Sequence, residues 1–290
     1  MSDQTPDWAH SFGSVADAYD RGRPSYPREA AAWLVGRDAA TVLELGAGTG
    51  KLTEVLVGLG HDVHATDPDR AMLDVLEKRV PAARTAVAGA EDIPLADRSV
   101  DVVVAAQCFH WFDLDRALPE IARVLRPGGH VALVWNQRNE RIPWVRRLGA
   151  IIGKQDHLSD PAEPLVQSAL FGFVEDAQFS HWQQVDRRSI QDLVLSRSNI
   201  AVLDEAGRKA KLDEVLAFYD DYGRGMDGMQ LPYDTLCFRA HVLDRPDPPR
   251  RTTADGDTPV DPVDPPTDKT DRPGGAGDDD GGDILLIDFR

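Results

Sequence analysis

Twelve residues, Thr41 to Leu52 (TVLELGAGTGKL), constrain the fold of this chain more than any others. The run from Thr41 to Leu45 is short and β-prone. After it, Leu52, Val55, Leu56 and Leu59 recur at i, i+3, i+4 and i+7, the period of a helix with one buried face. Gly46, Gly48 and Gly50 join the two segments. Without Cβ atoms they let the backbone turn sharply and let another group lie against it. A strand turning straight into a helix commits the surrounding chain to an α/β architecture. The third glycine comes one residue early for the G-x-G-x-x-G spacing of dinucleotide folds, and a carboxylate, Glu44, stands two residues before the first. Both departures weigh against a pyrophosphate site.

Beyond this corner, β and α patterns alternate. Strands are expected at 62–66, 84–88, 100–106 and 130–135, with helices at 69–79 and 113–125, the second ended by Arg126-Pro127-Gly128-Gly129. Strands separated by helices of this length imply crossover connections and a parallel sheet covered on both faces. The unbroken apolar run around Val102, Val103 and Val104 suits a central strand buried on both sides. Later segments are weaker: helices at 143–152, 189–196 and 203–219, and strands at 177–185 and 231–240. Before the corner, 28–35 reads as a helix. Trp8, Phe12, Val15, Ala16 and Tyr19 recur at helical spacing ahead of a loop punctuated by Pro24 and Pro27. That first helix is read either as packing on a sheet edge or as a lid.

The organisation expected is a cap and lid segment over 1–40, a ligand-binding core over 41–140, and a second half over 141–243 that carries a helical insertion around a substrate pocket. Residues 244–283 differ: twelve of the forty are Asp, and apolar periodicity is absent. Such a segment buries too little surface to offset its ordering entropy, so a flexible acidic arm is expected. Residues 284–290 read as a terminal strand. A net charge of -17 argues against a protein that grips a phosphate backbone through counterion release. Cys108 and Cys237 lie far apart and show no metal-ligand spacing, which argues against a disulfide framework or a zinc site and fits a reducing compartment. The N-terminus lacks the pattern of a signal segment, and no apolar stretch is long enough to span a bilayer. A cytoplasmic protein is expected.

Several side chains carry candidate chemistry. Asp67, at the end of the second strand, is placed to accept from two ribose hydroxyls, or alternatively to cap the following helix, a role that Asp69 is able to fill in its stead. Glu91 and Asp92, in the loop after the third strand, are read as facing a nucleobase or as an ordinary polar loop. Gln107, Cys108, Phe109, His110, Trp111 and Phe112 follow the fourth strand, where ligands bind in open α/β sheets. His110 is a candidate general base and equally a packing or orienting residue.

Taken in order, Glu44-Leu-Gly-Ala-Gly-Thr-Gly50, Asp67, Ala90-Glu-Asp-Ile-Pro94, Phe109-His-Trp-Phe112 and Leu125-Arg-Pro-Gly-Gly129 resemble the motifs of class I S-adenosylmethionine (SAM) dependent methyltransferases. The likeness spans roughly residues 8 to 240 and is greatest to the small-molecule branch that includes ubiquinone-biosynthesis and trans-aconitate methyltransferases. It implies a doubly wound, mostly parallel, seven-stranded Rossmann-like α/β sheet closed by two antiparallel strands. It implies SAM as cofactor, with Gly46, Ala47 and Gly48 along its methionine portion, Glu44 near its amino group, Asp67 on the ribose, Glu91 and Asp92 toward adenine and Gln107 beside the sulfonium. The segment from Tyr19 to Pro27 is expected to cover the cofactor through Tyr19, with Arg23 and Trp111 toward the acceptor and His110 as catalytic base. An acid at the strand end suits a cofactor that carries a sulfonium and an ammonium and no phosphate. The chain lacks the [DNS]-P-P-[YF] motif of amino-methylating nucleic-acid enzymes and the Pro-Cys nucleophile of cytosine-C5 enzymes. The expected activity is O- or C-methylation of a small molecule. Alternatives are a non-catalytic SAM-binding scaffold and a nicotinamide dehydrogenase; the early third glycine and Glu44 speak against the latter.

Overall fold

A computed structural model describes residues 20, 22–153, 161–197, 200, 202–222 and 228–244. The expected helix before residue 20, Tyr19 and the segments after Asp244 lie outside the described residues. In chain order the elements are α1 (Arg28–Val35), β1 (Thr41–Leu45), α2 (Lys51–Gly58), β2 (Asp62–Asp67), α3 (Arg70–Arg79), β3 (Arg84–Val87) and β4 (Val100–Ala106). A single 3-10 turn (Phe109–Trp111) follows, then α4 (Leu114–Val124), β5 (Leu125–Arg138), α5 (Pro143–Ile152), α6 (Glu163–Gln167), β6 (Phe171–Val185), α7 (Ser189–Leu195), α8 (Glu205–Tyr222) and β7 (Met229–Val242).

The seven strands form one sheet in the order β3-β2-β1-β4-β5-β7-β6, and β1 to β5 are parallel. Alternation along the central strands sends side chains to opposite faces. Val42, Val102, Val104, Ala132 and Val134 pack on one side with Ala31 and Leu34 of α1 and Leu56 of α2. Leu43, Leu45, Val103, Ala105 and Leu133 pack on the other with Ala117 and Ile121 of α4. A strand lined on both faces must be apolar throughout, which is why the fourth reads as a continuous hydrophobic run. A third cluster joins α5, α7 and α8 to the end of β6 and the start of β7 through Leu148, Leu193, Phe218 and Leu231. This helical layer sits by the carboxyl edge of the parallel strands.

Two expectations change. Only β7 runs against the sheet: it is antiparallel to β5 and to β6, so β6 points the same way as the parallel strands. A closing pair of reversed strands was a fold-level analogy, and the pairing with β7 fixes the direction of β6. The sequence Arg126-Pro127-Gly128-Gly129 does not separate helix from strand. Val100 pairs with Leu125 and Val102 with His130, so the four residues bulge out opposite Asp101, whose carboxylate accepts from Arg126 Nη1 at 2.6 Å and from the Thr41 backbone N–H at 2.8 Å. A Cβ on Gly129 would lie 2.6 Å from the Asp101 carbonyl oxygen, so the chain passes too close there for any side chain. The short helix α6 carries no periodic signal and was not expected.

Candidate functional site

Where β1 ends, the glycines take up left-handed backbone: φ is +63° at Gly46, +56° at Gly48 and +84° at Gly50. Their surroundings differ. A Cβ on Gly46 would lie 2.7 Å from Cys108 Sγ, and one on Gly50 would lie 2.7 Å from Leu76 Cγ. At Gly48 it would meet nothing within 4 Å. The first and third glycines let the turn pack; the middle one borders open space.

Two acids hold this turn. Glu44, 1% exposed, accepts a hydrogen bond from Thr53 Oγ1 at 2.6 Å. Burial pushes its pKa up to about 8, against the Thr53 bond and helped by the nearby Asp67. Asp67 ends β2 and accepts from the backbone N–H of Gly48 at 2.9 Å and of Asp69 at 2.8 Å, while burial raises it to about 6. Asp69 supplies the cap of α3, accepting from the Ala71 N–H at 2.8 Å. Asp67 is therefore not consumed by capping, and each of its oxygens keeps a lone pair for a further donor.

A cleft runs along the carboxyl edge in the order of the strands. It begins over Glu44 of β1 and Gly46, Ala47 and Gly48 in the turn that follows, crosses Ala106 at the end of β4 and Gln107 just past it, and continues over Asn136 and Arg138 of β5 to Tyr233 of β7. Gln107 is a non-glycine residue at φ +64°, a strained conformation fixed by its N–H donating to Val134 O at 2.9 Å and its Nε2 to Asn136 O at 3.2 Å. Asn136 is locked in turn by Thr235 Oγ1 at 2.6 Å and by donating to Ser25 O at 3.1 Å.

The segment ahead of α1 crosses this cleft with Arg23, Pro24 and Tyr26. Asp20 fastens its near end, accepting from Thr49 Oγ1 at 2.8 Å and from the Arg79 guanidinium, with Lys51 Nζ 3.8 Å away. Arg23 fastens the far side by donating from Nε and Nη2 to Ser196 Oγ and O, at 3.2 and 3.0 Å.

Of the residues singled out in the sequence, the cleft gathers Glu44, Gly46, Ala47, Gly48, Gln107 and Arg23. Among the described residues its lining does not include Asp67, Glu91, Asp92, His110 or Trp111. Glu91 accepts from the Asp113 N–H at 2.9 Å and so closes the loop before α4, and Asp92 is exposed. His110 and Trp111 are exposed on the 3-10 turn with ring centroids 4.4 Å apart, whereas Phe109 between them and β4 is buried. Missing from the sequence reading were Asn136, Arg138, Arg197 and Tyr233. The polar run after Trp135 was a signal for the first two; only the pairing of β5 with β7 brings Tyr233 to the edge.

Residues 43–133 match a family model described as a methyltransferase domain. An uncharacterised methyltransferase of Mycobacterium tuberculosis is 47% identical over 238 residues, covering 81% of this chain and 96% of that protein. A malonyl-[acyl-carrier protein] O-methyltransferase of Methylococcus capsulatus is 40% identical over 134 residues, covering 42% of this chain and 48% of the relative. A solved structure from Anaeromyxobacter dehalogenans, provisionally assigned as a type II methyltransferase, has a TM-score of 0.56 and 26% identity over 75% of this chain and 97% of that one.

Proposed function

We propose that this protein, which belongs to the class I SAM-dependent methyltransferases, methylates a small molecule on oxygen or carbon in the cleft along its carboxyl sheet edge. SAM is its cofactor, and when bound supplies a methyl group activated by a positively charged sulfur. The residues present fit that molecule. Glu44 offers a buried acid to a cationic ligand, and the space over Gly48 admits a group against bare backbone. That pairing of a buried acid with an open left-handed glycine is the observation that carries the reading. In it Gly46, Ala47 and Gly48 contact the methionine portion, Glu44 faces the amino group, Asp67 receives the ribose hydroxyls, Glu91 and Asp92 border the adenine, and Gln107 flanks the sulfur.

The chain's own contribution is orientation and exclusion of water. Arg23, Pro24 and Tyr26 roof the cleft, and Gln107 and Asn136 give it a rigid floor. An acceptor hydroxyl or carbon acid must lose a proton, and His110 is the proposed base, with Trp111 beside it at the acceptor. An acceptor that is already a carboxylate needs no base. The O-methyltransferase relative supports oxygen as the receiving atom. No helix among the described residues is long and apolar enough to cross a membrane.

Calorimetry with S-adenosylhomocysteine tests the cofactor site. Asp67→Ala should weaken binding by about 1 to 3 kcal/mol, the worth of a hydrogen bond to a charged group; unchanged affinity removes Asp67 from the ribose. His110→Ala should abolish turnover and leave that affinity intact. Undiminished turnover would remove the base and leave an acceptor that is anionic from the start.

A further inference from the structure

A row of hydrogen bonds crosses β6, β7 and β5 and ends over the cleft. Asn136 of β5 and Thr235 of β7 are register partners, and His181 of β6 stands diagonal to Thr235 on the same face. Thr235 is fully buried and Asn136 is 3% exposed. Thr235 Oγ1 donates to Asn136 Oδ1 at 2.6 Å and lies 3.1 Å from His181 Nδ1. At the far end of the row Asn136 Nδ2 donates to Ser25 O at 3.1 Å, and Gln183 Nε2, also on β6, donates to Gly22 O at 3.2 Å. Gly22 and Ser25 flank Arg23 and Pro24, which line the cleft.

A hydroxyl carries one hydrogen. Thr235 gives it to Asn136 Oδ1, so the contact with His181 requires the imidazole to donate: Nδ1 carries the ring proton and Nε2 is bare. Nε2 is buried without a hydrogen-bond partner among the described residues, and an orphaned buried donor is rarer in native proteins than an under-used acceptor. Burial holds the His181 pKa below its ordinary value, which keeps the ring neutral, and stacking on Tyr233 at 5.5 Å fixes its plane. The other tautomer reverses every link. With the proton on Nε2, Nδ1 takes the Thr235 hydrogen and Thr235 Oγ1 accepts from Asn136 Nδ2. The turned amide then sets Oδ1 against Ser25 O, two acceptors with no hydrogen between them. The tautomer of His181 and the tie to Ser25 are thus a single choice.

Building on the methyltransferase reading, we propose that Thr235 and His181 are positioning residues, which together aim the Asn136 amide at Ser25 and so hold Arg23, Pro24 and Tyr26 closed over the bound cofactor. Among the described residues neither lines the cleft. Their influence passes through Asn136, whose backbone carbonyl also accepts from Gln107 Nε2 at 3.2 Å, so the floor and the roof meet at this residue.

The test uses the full chain carrying isotope-labelled histidine, at a pH above the ordinary histidine value and saturated with S-adenosylhomocysteine. Proton–nitrogen correlation spectra read the tautomer of His181, assigned by the signal lost in His181→Asn, and the proton should sit on Nδ1. Stopped-flow release of S-adenosylhomocysteine then separates the variants. Thr235→Val keeps the shape without the hydroxyl and should release the ligand about fivefold faster, as the loss of a neutral hydrogen bond allows. Thr235→Ser keeps the hydroxyl and should stay within about twofold of wild type. The proposal is overturned if the proton sits on Nε2, if Thr235→Val releases the ligand as slowly as wild type, or if Thr235→Ser is as fast as Thr235→Val, which would assign the effect to packing of the methyl group. Should Thr235→Val fail to fold, the tautomer of the wild-type protein decides alone. Failure of S-adenosylhomocysteine to bind the wild-type protein is a separate result: it sinks the methyltransferase reading, and the tautomer still tells how Asn136 is aimed.

Discussion

Glu44 is a buried acid that keeps its proton at neutral pH until a cation is set beside it. Its folded-state pKa of about 8 lies above the ordinary 4.5, so between those values the folded chain binds more protons than the unfolded one. Stability of the unliganded protein should thus fall as pH rises through that window, and Glu44→Gln should flatten the decline in a series of thermal melts. Binding a cationic ligand there should expel the proton. Calorimetry of SAM binding at pH 7 in buffers of different ionisation enthalpy should read a release approaching one proton in the wild type and none in Glu44→Gln. The glycines divide in the same concrete way. Gly46→Ala meets Cys108 and adopts left-handed backbone, and should cost about 1 to 3 kcal/mol of stability. Gly48→Ala carries only the backbone strain, about 1 to 2 kcal/mol, and should instead weaken SAM binding at least tenfold, because its methyl group projects where a ligand lies. Melting curves and binding isotherms on the two variants separate these outcomes.

At the level of elements, the segment ahead of α1 is tied at Asp20 to the start of α2 and the end of α3, and at Arg23 to the end of α7. Asp20→Asn removes the charge that holds Arg79 and Lys51. The expected effect is a severalfold faster dissociation of SAM in stopped-flow measurements, with a melting temperature within a few degrees of wild type. The strand–turn–helix corner was legible in the sequence because every residue that defines it lies within one short run. Its acid, its glycines and the strand ending in Asp67 all stand where the pattern put them. The closing half was less legible for a physical reason. A Pro-Gly-Gly sequence looks like a terminator, yet β5 carries it as a bulge because pairing resumes at His130. The amphipathic pattern of β6 could not reveal its direction, which depends on β7 being inserted beside it. Arg138 and Tyr233 meet only through that pairing, so no local signal joins them.

Across the whole molecule, β7 joins the edge of the sheet to the cleft: it carries the Thr235 hydroxyl between His181 of β6 and Asn136, which reaches the segment ahead of α1. The reversed strand has one more implication. The first residues of β7 help to wall the cleft, so its last residue, Val242, emerges at the opposite rim of the sheet. An affinity handle, fusion partner or surface tether joined just past that point departs from the back of the molecule, which leaves the mouth open for an immobilised catalyst.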